Sequence, residues 1–415
     1  MQDQLRAIRE NLDKHDVKKA EVLIAKLLRL ALEPEQRAQI LIERARTRLL
    51  NTRPEDALTD LQEAHSISGN LVTPLALELL GDCYFARFEI ATVGFADRSD
   101  TAQAENAYRE IIARFPDYDN LGWIYYQLGR VLATRMSVEE ANTCFQQALL
   151  CPSHVGALTA FCYERLGFVA FYELRDLTKA LAFLNKASDT YPIKESRAWL
   201  VQVHLLRSRV LREMRNFDLA FKAAEAAITI ALDSGSESRA GLAEALLTAG
   251  ELVSEMGGGH EKDVIRYLQQ FLQVTKRPLG VDVTWARVYE MLGDAYLRLE
   301  QYDAAVTAYQ SVLQYNPDYP WEVSLYYRMA RGFYQQQAFD KTIEAIQRML
   351  RSAEAEGQLI NDYRVYDILG NAQFALRQYD KAAEAYMQAL RIAPSNAEEL
   401  DKIRMYCQFA QELAL

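Results

Sequence analysis

The chain is poor in the residues that interrupt helices or build disulfide and metal sites. Among its 415 residues there are only 10 prolines, 18 glycines, 5 cysteines and 5 histidines. The prolines and glycines fall at regular places, which leaves little room for linkers. An odd number of scattered cysteines is typical of reduced thiols rather than of a disulfide framework. We therefore predict a cytoplasmic protein with free, partly buried thiols.

Basic charge and long apolar runs are also scarce. The formal net charge is −10, which argues against sequence-independent binding of nucleic acid, because such binding needs a basic surface. No apolar run approaches the roughly 20 residues that a membrane-spanning helix requires. The polar start, MQDQLRAIRE, has no apolar signal core. We expect no nucleic-acid partner, no membrane insertion and no export.

The chain does contain a repeated pair of helical patterns. Apolar side chains recur at helical spacing in residues 284–298, and a second helical pattern with Tyr309 at its centre follows after a short polar turn. Pro317 closes the unit. Gly293 lies inside the first helix at a cost of about 1 kcal/mol relative to alanine, which indicates close approach by a neighbouring helix. The unit is a helix hairpin, too small to bury its own apolar face.

The same small, aromatic and proline positions recur around Gly129, Gly167 and Gly370. These units resemble the tetratricopeptide repeat (TPR) family, whose repeat is a helix–turn–helix of about 34 residues. The resemblance implies an all-α fold: a right-handed superhelical TPR solenoid of about ten helix hairpins plus a C-terminal capping helix. The repeats are approximately 1–34, 38–71, 74–117, 122–153, 160–193, 201–234, 243–277, 286–319, 323–355 and 363–396, with the capping helix at 397–415, in a single solenoid over 1–415.

The repeat at 74–117 is longer than the others because about 11 extra residues, within 87–103, separate its two helical patterns. This insertion includes the apolar residues Phe88, Ile90 and Phe95. Two interpretations remain open. Both helices are extended and these residues pack on each other, or the segment projects as a contact element.

No arrangement of residues predicts catalysis. The GGGH segment at 257–260 lacks the GK[ST] of a phosphate-binding loop. Cys151, His154 and Cys162 have a spacing that could suggest zinc, but a helix end separates them from the further cysteine Cys144, and zinc wants four ligands in a tetrahedron. We predict that the protein is not an enzyme and has no cofactor and no metal.

The predicted partner-binding surface lies on the first helices of two adjacent repeats, on the side away from the seam. Aromatic side chains with one arginine suit a peptide or protein segment that carries apolar and acidic residues. The alternative is that the aromatics pack between repeats and that the arginine pairs with a glutamate. The six residues are Trp123, Tyr126, Arg130, Phe161, Phe168 and Phe171.

These features predict a non-catalytic interaction scaffold or adaptor that binds a peptide or protein segment in the concave groove of a TPR superhelix. The alternative is a fixed structural or regulatory subunit of a larger multiprotein assembly. We expect the chain to be a monomer or a weak homo-oligomer.

Overall fold

The computed structural model describes residues 2–14, 16–30, 32–68, 73–91, 98–192, 197–235, 239–397 and 399–415. Over these ranges the chain is built from helices joined by short turns and loops, and no strand occurs in them. The predicted all-α class is confirmed. The chain divides into two compact units: unit 1 is Met1–Arg197 with Arg209–Met214, and unit 2 is Ala198–Ser208 with Arg215–Leu415.

Unit 1 consists of chain-neighbouring helices packed in pairs. Its helices are α1 (Gln2–Asp13), α2 (Val17–Leu27), α3 (Pro34–Leu50), α4 (Pro54–Ser68), α5 (Pro74–Ile90), α6 (Arg98–Arg114), α7 (Leu121–Thr134), α8 (Val138–Ala148), α9 (Leu158–Tyr172) and α10 (Leu177–Thr190). The first helices of successive pairs also touch one another, in the order α3, α5, α7 and α9. This row of first helices carries the predicted partner-binding residues.

Unit 2 repeats the arrangement. The helix α11 (Ala198–Glu213) spans the division between the two units. The helices after it are α12 (Phe217–Asp233), α13 (Arg239–Met256), α14 (Glu261–Val274), α15 (Val283–Arg298), α16 (Tyr302–Tyr315), α17 (Glu322–Gln335), α18 (Phe339–Ala355), α19 (Tyr363–Ala375), α20 (Tyr379–Ile392) and α21 (Leu400–Ala414). The last helix covers α20 with the buried side chains of Ile403, Cys407 and Ala410, as expected of a capping helix.

The two helices of a pair approach most closely where the first one carries glycine. A Cβ added to Gly81 would lie 2.6 Å from Cε1 of the fully buried Tyr108, and a Cβ on Gly293 would meet the ring of Tyr309. The prediction that Gly293 marks a close helix approach is thus confirmed.

The turns within the pairs use a residue in the left-handed region. Met136 has φ 63° between α7 and α8, and Gln337 has φ 59° between α17 and α18. The following amide bonds back into the helix: Ser137 N–H donates to the carbonyl of Leu132 at 3.0 Å. This is the bond pattern of a Schellman helix end, which reverses the chain in few residues.

The longer pair, α5 and α6, is described up to Ala91 and again from Arg98. The guanidinium of Arg87 donates to the buried carboxylate of Asp100, with Nε at 2.8 Å from Oδ2, and so ties the two extended helices together. Phe88 is partly buried against the core of unit 1, whereas Phe95 lies outside the described residues. These contacts favour extended helices, and a role of the segment in binding stays a prediction.

Candidate functional site

The six predicted partner-binding residues all lie in unit 1, on α7 and α9, and they differ in exposure. Tyr126 and Phe171 are buried, with only 7% and 6% of their surface exposed. Trp123 and Phe161 are partly buried, and Phe168 is exposed at 37%. The structure therefore separates two core residues from three that a partner can reach.

Trp123, Tyr126 and Phe161 form one group of rings. The ring of Tyr126 lies 5.4 Å from that of Trp123 and 6.1 Å from that of Phe161, measured between centroids. Tyr126 also packs on Phe145 of α8 at 5.9 Å. The buried tyrosine fixes the two more exposed rings on either side of it, which limits the entropy that they lose on binding.

Phe168 and Phe171 belong to a second group near the end of α9. The rings of both pack on Tyr172, at 4.5 Å and 4.6 Å. The guanidinium carbon of Arg165 lies 5.6 Å from the ring centre of Phe168. Phe168 and Phe161 are seven residues apart on α9, which places them two turns, or about 10 Å, apart along the helix axis.

Arg130 is already engaged within the protein. Its guanidinium forms an ion pair with Glu89 of α5 and donates to the side-chain oxygen of Gln127 at 2.9 Å. It also lies over the ring of Phe85, 4.8 Å from the centroid. Its side chain is 26% exposed, so the arginine forms part of the surface, but its charge is largely satisfied.

Two carboxylates that the sequence pattern did not predict, Glu78 and Asp82 on α5, lie beside this surface. The residue Glu78 is only 8% exposed, and Asp82 is partly exposed. Two neutral groups donate to Glu78: Tyr118 Oη lies 2.6 Å from Oε2, and Asn120 Nδ2 lies 2.9 Å from Oε1.

Asp82 is held in the same way. Tyr108 Oη and Gln127 Nε2 donate to its Oδ1 at 2.6 Å and 3.1 Å. Glu78 and Asp82 therefore form an acidic pair, with Glu78 buried and Asp82 partly exposed, that accepts hydrogen bonds from neutral donors. Two further charges, Arg46 and Arg130, lie near it.

These surroundings raise the pKa of both carboxyl groups. Burial, followed by the neighbouring Asp82, raises the pKa of Glu78 from 4.5 to about 7. Burial also raises the pKa of Asp82, and the hydrogen bonds from Tyr108, Gln127 and Trp123 offset this only in part. Desolvation disfavours a buried charge, and two adjacent carboxylates disfavour each other.

Unit 2 contains a related constellation, in which Trp321 stands at the position of the donor Asn120 and the residue at the position of Gln127 is also exchanged. Glu290 and Asp294 of α15 occupy the positions of Glu78 and Asp82 relative to the crossing glycine. The hydroxyl of Tyr309 donates to Asp294 at 2.7 Å, as that of Tyr108 does to Asp82. In unit 2, however, Arg328 takes the position of Gln127 in the next first helix.

Arg328 binds both carboxylates of its pair. Its Nη1 lies 2.8 Å and 2.9 Å from the two carboxylate oxygens of Asp294, and its Nη2 lies 2.7 Å from Oε1 of Glu290. The side chain of Arg328 is only 18% exposed. The two acidic neighbours raise its pKa, although burial alone would lower it.

A comparison of two segments of the sequence would have revealed this relation. FPDYDNLGWIYYQLGR at 115–130 aligns with NPDYPWEVSLYYRMAR at 316–331, which places Tyr118 on Tyr319 and Gln127 on Arg328. Each segment follows a helix pair whose first helix carries a glutamate and an aspartate four residues apart. Helical periodicity alone assigns such acidic residues to solvated helix faces, because the repeat pattern specifies small and aromatic positions but no charges.

The part of the chain that the structure describes shows no group of three or more His, Cys, Asp or Glu side chains that could hold a metal ion. Burial raises the pKa of the thiols of Cys83 and Cys162 to about 12 and that of Cys144 to about 11, so these thiols stay protonated. Among the described helices, none is long and apolar enough to cross a membrane.

Comparison with known families gives three matches. A model described as "Tetratricopeptide repeat" matches residues 75–118, one described as "TPR repeat" matches 293–341, and a second "Tetratricopeptide repeat" model matches 363–396. The first two matches include most of the acidic constellations of unit 1 and unit 2, respectively.

Relatives and solved structures agree with this assignment. Human "Tetratricopeptide repeat protein 21B" is 25% identical over 150 residues, which are 36% of this chain and 10% of that protein. The chain thus spans about a tenth of the length of the curated relative that it matches.

Two solved structures share the fold. The match to the apo form of RapI covers 90% of this chain and 97% of the RapI chain, with a TM-score of 0.54 and 12% identity. The match to the apo form of the quorum sensor NprR from B. thuringiensis covers 75% of this chain and 85% of the NprR chain, with a TM-score of 0.50 and 14% identity. Matches to one repeat family in both units, on helix pairs with a close crossing at glycine, show that the chain contains tetratricopeptide repeats.

Proposed function

We propose that this TPR protein is a non-catalytic interaction scaffold and that it binds a peptide or protein segment over α7 and α9 of unit 1. TPR folds are in general protein-interaction modules. The observation that carries the proposal is the exposure of Phe168 together with the partial exposure of Trp123 and Phe161. The helices that carry these rings, α7 and α9, pack on α8 and α10. We call these three rings the aromatic surface.

The aromatic surface offers what interfaces use most. Aromatic residues are enriched at interface centres, and losing one such anchor typically costs about 2 kcal/mol or more, or roughly 30-fold in affinity. The buried Tyr126 packs directly on Trp123 and Phe161, whereas the buried Phe171 packs on Tyr172, which in turn contacts Phe168. Arg130 forms the edge of this surface towards α5.

The partner segment carries apolar side chains in this proposal. The sequence also predicted acidic ones, on account of Arg130. The ion pair of Arg130 with Glu89 and its bond to Gln127 give that preference little support. Recognition of acidic side chains is therefore not part of this proposal.

A selection of random phage-displayed peptides on the immobilised full-length protein tests this function. Selected peptides should lose roughly 30-fold in affinity on Phe168→Ala and on Trp123→Ala. Trp321→Ala and Phe409→Ala are matched controls, because these side chains are 64% and 47% exposed in unit 2, and they should leave affinity unchanged. Equal loss in the controls, or none in the two variants, would place recognition elsewhere. Far-UV circular dichroism and melting temperature verify that each variant is folded.

One observation favours the alternative, a fixed subunit of a larger assembly. Three loops between repeats of unit 2 expose large apolar side chains, with Leu279 fully exposed, Leu359 at 87% and Trp321 at 64%. A permanent interface would bury such residues. Under the scaffold proposal, Leu279→Asp with Leu359→Asp leaves peptide binding intact, whereas under the alternative the double variant loses its native co-purifying partners.

We further propose that this binding occurs in the cytoplasm, by a monomer or weak homo-oligomer and without a cofactor. The five free cysteines suit a reducing compartment.

A further inference from the structure

The acidic pair of unit 1 differs from its counterpart in the charge that faces it. In unit 2 the guanidinium of Arg328 binds Glu290 and Asp294 from the next first helix. In unit 1 the equivalent side chain is Gln127, which is neutral, and which gives Asp82 one amide hydrogen bond.

We propose that the Glu78–Asp82 pair binds the guanidinium of an arginine side chain in the partner segment. This inference rests on the proposed function, because it assigns a chemical class to the segment that covers the aromatic surface. The arginine would take from unit 1 the contacts that Arg328 makes within unit 2. Arg46 on the preceding first helix already acts on Glu78, so the arginine of the partner would approach from the other side, where α17 supplies Arg328 in unit 2.

The oxygens of the pair retain capacity for such a ligand. Tyr108 and Gln127 both donate to Oδ1 of Asp82, Trp123 gives Asp82 a third hydrogen bond, and each oxygen of Glu78 accepts one described bond. A carboxylate oxygen accepts about two hydrogen bonds. A guanidinium, with five donors in a planar fork, matches two neighbouring carboxylates better than an ammonium does.

The pair is within reach of the aromatic surface. Asp82 keeps partial exposure, and Gln127 lies one turn along α7 from Trp123. Other charges around the pair are Arg46 on α3, Glu89 on α5 and Arg130 on α7. Arg130 is turned towards Glu89 and Gln127, so it does not take the position that Arg328 occupies in unit 2. A segment lying across Trp123 can therefore direct one arginine towards α5 while its apolar side chains contact the rings.

Calorimetric titration of the full-length protein with three capped peptides tests this. The probes have the sequence Phe-Leu-X-Leu-Phe, in which X is arginine, lysine or the uncharged isostere citrulline. We expect the arginine peptide to bind about tenfold more tightly than the citrulline peptide, because a charge-assisted bidentate contact is lost. The lysine peptide should fall between them.

Gln127→Arg is the decisive variant, since it supplies the internal arginine that unit 2 has. It should abolish the arginine preference and leave the citrulline affinity nearly unchanged. Gln147→Arg, on the exposed side of α8, adds the same charge away from the site and should keep the preference. A preference that survives Gln127→Arg would overturn the inference.

The outcomes separate this inference from the function on which it rests. If arginine and citrulline peptides bind equally and Phe168→Ala weakens both, the aromatic surface is right and the arginine site is wrong. If no peptide binds, the arginine site is tested separately by the shift in melting temperature that millimolar argininamide or citrullinamide produces. A larger shift with argininamide, lost in Gln127→Arg, supports the site even though the peptide function has failed; equal shifts refute it.

Discussion

The two acidic pairs differ in the charge of the residue that the next first helix places against them. Glu78–Asp82 and Glu290–Asp294 lie at the same positions of α5 and α15, and a tyrosine from the second helix of each hairpin donates to the aspartate in both. In unit 2 the guanidinium of Arg328 of α17 forms ion pairs with both carboxylates. In unit 1 the corresponding residue of α7 is Gln127.

Under the proposed arginine binding, stability in unit 2 and recognition in unit 1 use the same contacts. An ion cluster with its own arginine ties two successive repeats together. In unit 1, burial and the neighbouring Asp82 disfavour the charged form of Glu78, which costs free energy at neutral pH although Arg46 acts in the opposite direction. In the proposed complex, the cation of the partner offsets part of that cost.

The largest effect is expected where the internal arginine is removed. Arg328→Gln should lower the free energy of unfolding by about 3 kcal/mol, because it leaves two carboxylates without their partner. Urea denaturation followed by circular dichroism measures this. Arg348→Gln is the control, since the Arg348–Glu344 pair is half exposed and should cost well under 1 kcal/mol. A loss as small as in the control would mean that the cluster does not join the repeats of unit 2.

A smaller loss is expected at the two helix crossings, and it should be similar in both units. Gly81→Ala and Gly293→Ala each place a methyl group against a buried tyrosine ring, and overpacking of this kind typically costs about 2 kcal/mol. Gly156→Ala is the control, because nothing lies within 4 Å of its Cβ position. Melting temperatures of the three variants test the crossing; variants as stable as the control would refute it.

Removing the charge of Glu78 and removing that of Glu290 should change the free energy of unfolding in opposite directions. The pKa of Glu78 is about 7 in the folded protein against 4.5 unfolded. Between these values the folded state holds a proton that the unfolded state has lost, so the free energy of unfolding falls as pH rises through this window.

Glu78→Gln removes that loss and should stabilise the protein by on the order of 1 kcal/mol above pH 7, with no gain below about pH 4.5. Glu290→Gln breaks a bond to Arg328 and should destabilise it. Urea midpoints of both variants, measured at acidic and at slightly alkaline pH, test these two expectations. A destabilising Glu78→Gln at alkaline pH would show that the pair is already neutralised.

A further gain is expected from Gln127→Arg, the reverse of the first change. Filling the acidic pair of unit 1 should raise the free energy of unfolding by about 1 kcal/mol at neutral pH. It should also flatten the pH dependence that Glu78 produces. Gln147→Arg on the exposed face of α8 should do neither. No gain from Gln127→Arg would mean that unit 1 lacks the space in which Arg328 lies in unit 2.

Much of this architecture could be predicted from the sequence, because helix periodicity and small crossing residues are local signals. Gly293 predicted its close approach to Tyr309 without any structure. The distinction between Tyr126 and Trp123 was less accessible. Both lie on the first helix of one repeat, three residues apart, and only the packing of Phe145 and Phe161 shows that Tyr126 is buried between them.

The acidic pair was harder still, because the contacts that define it come from residues 26 to 45 positions away along the chain. A glutamate and an aspartate four residues apart on a helix are usually solvated. What distinguishes Glu78 and Asp82 is that Tyr108, Tyr118 and Gln127 converge on them. The partner-binding role of the surface beside them remains a prediction.

The smallest effect should be equal in the two units and thereby isolates the role of the acidic pairs. Met136 and Gln337 stand at equivalent turns with φ of 63° and 59°, where residues other than glycine are strained. Glycine relieves this strain but adds freedom to the unfolded chain. Met136→Gly and Gln337→Gly should therefore each stabilise by only about 0.5 kcal/mol, measured as urea midpoints. Because both turns close in the same way, equal gains would attribute the contrast between Arg328→Gln and Gln127→Arg to the charge facing each acidic pair. Unequal gains would mean that the two hairpins differ in their backbone as well, and the comparison of the pairs would then need correcting by that difference.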